Sequence, residues 1–199
     1  MTDEQKSIRQ TNNLETDKLE RIIPDKHQRD TFQRLLEHLD SDTAAMVALK
    51  GHLVIEAKIT SAIEKFVFHP EYVDDARLAF AQKLAFARSL SLDEEKNSMW
   101  ELLSRLNRLR NTLSHSLDDA RRAGAMNAIK DAYRNERNGR LEDWEEANET
   151  SLLLSVVSLC LGFLDGFEQE VERFREHVSL MDKIVNPHRR PAATDGPQP

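Results

Sequence analysis

The chain has 199 residues, of which 39% are hydrophobic and 32% charged, with 6 Gly, 6 Pro and a formal net charge of −7. That length carries one ordinary hydrophobic core, and so few turn-forming residues beside so much Leu, Ala, Glu, Arg and Lys exclude a strand-rich fold. The single cysteine, Cys160, excludes an internal disulfide framework and suits a reducing compartment, so the expected location is cytoplasmic.

In chain order, residues 1–23 are polar and aperiodic and are expected to be flexible; they hold no apolar run of the kind a signal peptide needs. Pro24 can open a helix in its first turn, and "DKHQRDTFQRLLEHL" places Phe32, Leu35, Leu36 and Leu39 at helical spacing. "DSDT" then supplies a cap for a helix over about 42–67. Its stripe, Ala45, Leu49, His52, Glu56, Ile59, Ile63 and Phe66, is apolar apart from His52 and Glu56. Pro70 in "FHPEY" ends it. A third helix is expected over about 74–90, with Ala79, Phe80, Leu84 and Ala87 turned inward, and a fourth over about 93–116. A basic helix over about 117–134 follows.

The last helix is expected from Glu142 to Val185. Leu153, Val157, Cys160, Leu164, Phe167, Val171, Phe174, Val178, Met181 and Val185 keep an unbroken four–three spacing. That stripe spans about 48 Å against about 39 Å for the second helix, so its end calls for another partner such as a second subunit. The apolar run 152–164 is too short to cross a bilayer and reads as a core helix, so no membrane association is expected. Residues 186–199 hold four prolines and are expected to be disordered. No segment alternates like a strand. The expectation is an all-α bundle of five to six helices over residues 24–185, with a long C-terminal helix.

Charge is spread unevenly. Nine Lys and Arg stand against four Asp and Glu between Arg105 and Arg140, a local excess of positive charge in an acidic chain. Within it lies "RLRNTLSHS", residues 108–116. On a helix, Leu102, Leu106, Leu109, Leu113 and Leu117 form the packing stripe, while Ser104, Arg108, Asn111 and His115 form a parallel polar one beside Asn107. Arg110 falls between the two faces, where its stem can pack and hold the guanidinium. An imidazole that titrates near neutrality can move the proton of a ribose 2′-hydroxyl or of a leaving oxygen. A fixed guanidinium matches the extra charge of a phosphorane-like transition state. Arg110 and His115 are therefore the candidate catalytic pair for cleaving RNA, and Arg108, Arg121 and Arg122 are candidates to steer it. A second His115, needed for a reaction that moves two protons, would come from a symmetric dimer.

"RLRNTLSH" at a helix end, within an all-helical bundle, resembles the R-x4–6-H motif of HEPN domains. "GHLVIEAKITSAIEKF" and "LAFAQKLAFARSLSLDEE" look like the subset that includes the mannitol-operon repressor family. For catalytic members the resemblance implies a metal-independent endoribonuclease that acts as a homodimer on single-stranded RNA and leaves 2′,3′-cyclic phosphate and 5′-hydroxyl ends. Such members belong to defence or toxin–antitoxin biology, with an antitoxin or regulatory protein as a further partner. By motif position Arg110 and His115 would be catalytic and Asn111 would position them. A supporting acidic residue from a neighbouring helix is common, and Glu56 is the candidate, through a contact with Arg110. Toxin-type members often continue as His-x-Tyr; here the continuation is His115-Ser116-Leu117, so regulation by modifying that tyrosine is not open to this chain. The alternative implied by the same resemblance is a catalytically silent module that regulates by protein–protein contact. No glycine-rich phosphate loop, Ser-His-Asp signature or metal-ligand spacing is present, so neither cofactor nor metal is expected. Glu168, Glu170, Glu172 and Glu176 read as a solvated face.

Overall fold

Capping side chains set the helix starts. The computed structural model describes residues 43–92, 97–136 and 148–188. The Thr43 hydroxyl accepts from the Met46 N–H at 3.4 Å and opens α1 (Ala44–Phe66). Pro70 opens the short α2 (Pro70–Asp75), and α3 covers Phe80–Ser89. Asn97 accepts from the Met99 N–H at 3.1 Å to start α4 (Ser98–His115). The Asp118 carboxylate accepts from the N–H groups of Ala120 and Arg121 at the head of α5 (Asp119–Glu136). Asn148 accepts from the Ser151 N–H at 2.9 Å to start α6 (Glu149–Val185). The described residues form six helices and no strand, an all-α bundle with a long C-terminal helix.

Two boundaries depart from the sequence expectation. The single helix expected over 74–90 is broken because Arg77 takes a left-handed conformation at φ 48°; α3 restarts at Phe80, with the Gln82 side chain accepting from the Ala79 N–H at 2.9 Å. Ala79 is consequently exposed while Phe80, Leu84 and Ala87 are buried. The helix expected over 93–116 begins at Ser98. The expected Phe32–Leu39 helix, residues 1–23, the Glu142 start of the last helix and most of the proline-rich tail fall outside the described residues.

α1 and α6 run parallel and in register. Gly51 faces Val157, Lys58 meets Asp165 and Lys65 meets Glu172, a nearly constant offset along both helices. α4 crosses them in the opposite sense: Asn107 meets His52 of α1, whereas Trp100 packs edge-on against Phe163 and Phe167 further along α6. Val47, Ile55, Ile59 and Ile63 of α1, Leu102, Leu103, Leu106 and Leu109 of α4, and Leu153, Val157, Cys160 and Leu164 of α6 fill the core. The buried face of α1 is thus turned from the stripe read in the sequence. Val47, Ala48, Gly51 and Ile55 face inward, and Ala45 is exposed, because the parallel partner requires the side of α1 that carries Gly51.

Gly51 allows the α1–α6 approach, since a β-carbon there would overlap the γ-methyls of Val157. Gly51→Ala gains about 1 kcal/mol of helix propensity, but overpacking a well-filled core costs about 1–3 kcal/mol. Denaturant unfolding is expected to show a net loss of stability. A double-mutant cycle with Val157→Ala, which opens the space, should return a favourable coupling of about 1 kcal/mol or more.

The apolar run 152–164 sits inside a helix of 37 residues, long and apolar enough by length and composition to cross a membrane, and close to half of its most apolar stretch is buried in the bundle.

Candidate functional site

α4 leaves the core at its C-terminal end. Leu106 and Leu109 are buried and Leu113 packs partly against the core, but Leu117, expected to extend the stripe, is 92% exposed in the turn between α4 and α5. The helix ends at His115, where the Ser116 N–H donates to the Thr112 carbonyl at 2.9 Å and the Ser116 hydroxyl accepts from the Asp118 N–H. Ser104, Arg108, Asn111 and His115 all face solvent, as their spacing predicts.

Arg110 is half-buried, and its Nη1 donates to the Asn111 side-chain oxygen at 2.9 Å. Among the described residues it meets no carboxylate. Its fork keeps most of its donors for an outside acceptor, and Asn111 holds it from the neighbouring position. Glu56 does not take the place expected for it: it pairs with Lys83 of α3 at 3.2 Å instead of Arg110. Arg110 and His115 are five positions apart on one helix, about 140° around and about 7.5 Å along it. The chain therefore presents them on adjoining faces of the same helix end.

Behind Arg110 lies a polar contact that sequence reading missed. His52 is 2% exposed, its ring centroid is 4.3 Å from that of Phe80, and its Nε2 donates to the Asn107 side-chain oxygen at 3.0 Å. The contact bridges α1 and α4. Asn107 lies one helical turn before Arg110, so His52 fixes the α4 backbone immediately behind the exposed motif. The signal in the sequence was a histidine interrupting an apolar stripe; its partner, 55 residues away, was not visible there.

Bonding to a carbonyl oxygen makes Nε2 the protonated nitrogen and leaves Nδ1 buried without a partner. Burial lowers the His52 pKa from its ordinary 6.5 against the raising effect of the Asn107 bond; the Arg110 charge lowers it further, against Glu56. A histidine whose folded pKa is depressed stabilises the fold above its unfolded value and loses that contribution as the pH falls towards the folded value. Unfolding free energy should therefore decline as the pH drops below 6.5, and His52→Gln should flatten that decline in denaturant titrations between pH 7 and pH 5.

The basic residues around the motif have different local roles. Arg108 is exposed; Arg121, also exposed, pairs with Asp118 at 3.4 Å; Arg122 donates from Nε to the Ser116 carbonyl at 2.9 Å and braces the turn that follows His115. Among the described residues no group of three or more His, Cys, Asp or Glu is placed to hold a metal ion. Burial raises the Cys160 thiol pKa and keeps it in the thiol form within the core. No protein-family model, no curated protein and no solved structure matches this chain.

Proposed function

We propose that the protein is a HEPN-like, metal-independent endoribonuclease of the cytoplasm that works as a homodimer on single-stranded RNA. In this reading the 2′-oxygen attacks the adjacent phosphorus and the 5′-oxygen leaves. His115 takes the 2′-hydroxyl proton while a second His115, from the other protomer, gives a proton to the departing oxygen. Arg110 carries the charge that accumulates on the non-bridging oxygens, held by Asn111, and Arg108 and Arg121 draw the strand toward the helix end. The products are a 2′,3′-cyclic phosphate and a 5′-hydroxyl.

The observation that carries this reading is the exposure of the motif. A helix-locking role would place Arg110 and His115 under other side chains; here His115 and Asn111 face solvent, and Arg110 has only Asn111 as a hydrogen-bonding partner among the described residues. The reading belongs to defence or toxin–antitoxin biology, with an antitoxin or regulator as further partner. Incubating the purified chain with end-labelled single-stranded RNA in excess EDTA tests it, with cyclic-phosphate fragments as the supporting result and intact RNA as the opposing one. The alternative, a catalytically silent interaction module, is favoured by the apolar stripe that α6 exposes beyond the bundle.

A further inference from the structure

α1 carries a second apolar stripe besides the one that fills the core. Met46 and Leu53 are exposed, Leu49 between them is half-buried, and the three follow at spacings of three and four. The neighbouring helices take up other sides of α1: α4 meets it at His52, α3 at Glu56 and α6 at Lys58. Apolar residues at this spacing on the remaining side of a helix mark the seat of a further helix.

We propose that residues 32–39 of the same chain cover this stripe, folded back along α1 as the first arm of an antiparallel helical hairpin. Leu39, Leu36 and Phe32, read backwards from Thr43, have the same spacings of three and four as Met46, Leu49 and Leu53 read forwards. Asp40, Ser41 and Asp42 join Leu39 to the capping Thr43, and loops of about two to five residues close hairpins of this kind. The register sets Leu39 against Met46, Leu36 against Leu49 and Phe32 against Leu53. Each arm advances about 10.5 Å over these three layers, so the two surfaces match in length.

Other occupants fit this face less well. Two turns of helix offer little surface to a separate chain, since stable interfaces bury about 800 Å² on each partner. A segment tethered through so short a linker instead acts at an effective concentration on the order of millimolar. Residues 93–96 and 189–199 hold no Leu, Ile, Val, Met or aromatic side chain, and residues 137–147 hold only Leu141 and Trp144. The apolar residues before Pro24, Ile22 and Ile23 among them, fall past Leu53 in this register. The hairpin does not rest on the nuclease reading: α4 meets α1 on a different side, through Asn107 and His52, so the hairpin and the pairing of two His115 ends do not compete.

The test is thiol chemistry on the full chain, whose native Cys160 is buried and held in the thiol form. Phe32→Cys/Leu53→Cys should close an intrachain disulfide in an oxidising buffer. It should do so about ten-fold or more faster than Leu39→Cys/Leu53→Cys, whose sulfurs the register keeps two turns apart. Equal rates overturn the proposal. So does linkage between two chains in place of linkage within one, which would seat a second copy on the face. Leu53 is exposed, so its replacement leaves the core packing intact and allows a second readout. Leu53→Cys alone should react slowly with a soluble thiol reagent, and adding Leu36→Asp/Leu39→Asp should raise that rate about ten-fold or more. A rate unmoved by the aspartate pair overturns the proposal.

Discussion

RNA cleavage should fall by about 10²–10⁴-fold in His115→Ala, the range by which a positioned general acid or base accelerates proton transfer. Arg110→Ala should fall by about 10²–10³-fold, as when one preorganised donor to a transition-state charge is removed. Arg110→Lys should recover little of this, because an ammonium keeps the charge but loses the planar fork that Asn111 holds. The effect on folding should be small. His115 is exposed at the last position of α4, where its substitution should change stability by about 0.5 kcal/mol or less. Arg110 is half-buried and loses some packing of its stem, about 1 kcal/mol. Asn107→Ala makes a useful contrast. It removes the acceptor for the buried His52 ring, so it should cost about 1–3 kcal/mol of stability and reduce activity through the backbone behind Arg110.

The largest effect on stability is expected at Glu168. It is 5% exposed between α1 and α6, where Ser61 donates to it, Lys58 bonds it at 3.0 Å and Lys65 lies at 3.3 Å; Lys58 also meets Asp165. Removing one partner of a buried ion pair is strongly destabilising because the other charge is left behind. Lys58 keeps Asp165 and Lys65 is partly exposed, so the expected cost of Glu168→Ala is about 2–4 kcal/mol. Lys65→Ala should cost less than about 1 kcal/mol, its pairs being near the surface.

The pH dependence follows from the same contacts. Burial alone would raise the Glu168 pKa, but the hydrogen bonds from Ser61 and Lys58 and the charges of both lysines bring it below its ordinary 4.5. A carboxylate with a depressed folded pKa stabilises the fold above its unfolded value, and that contribution is lost as the pH falls through the lower, folded value. Acid unfolding in the window below pH 4.5 should therefore be less steep in Glu168→Gln than in the wild type.

Much of the fold was legible because helices advertise themselves locally. Thr43 and Pro70 mark boundaries through chemistry that lies within a few residues. The four–three spacing of α6 announced its burial up to Val171, and the length of the stripe, greater than that of the second helix, announced an end left over from the bundle. What could not be read was set by partners distant in sequence. Glu168 sat among carboxylates that looked like one solvated face, and only the parallel packing of α1, with Lys58 and Ser61 aligned to it, buries that one residue. The buried side of α1 was missed for the same reason: Gly51 selects it through Val157, more than a hundred residues away. In the site, the exposure of Asn111 and His115 followed from spacing alone. The partner of Glu56 did not, because Lys83 reaches it only after the chain breaks at Arg77 and restarts as α3.

The most direct measurement of the central claim is a paired one: cleavage of labelled single-stranded RNA in excess EDTA and thermal unfolding, on the wild type, Arg110→Ala and His115→Ala from one preparation scheme. The wild type should give cyclic-phosphate products and neither variant any above background, while His115→Ala should melt with the wild type and Arg110→Ala within about 4 °C of it. Intact RNA with all three proteins, together with clear thermal destabilisation of both variants, would contradict that claim and leave Arg110 and His115 as structural residues of α4.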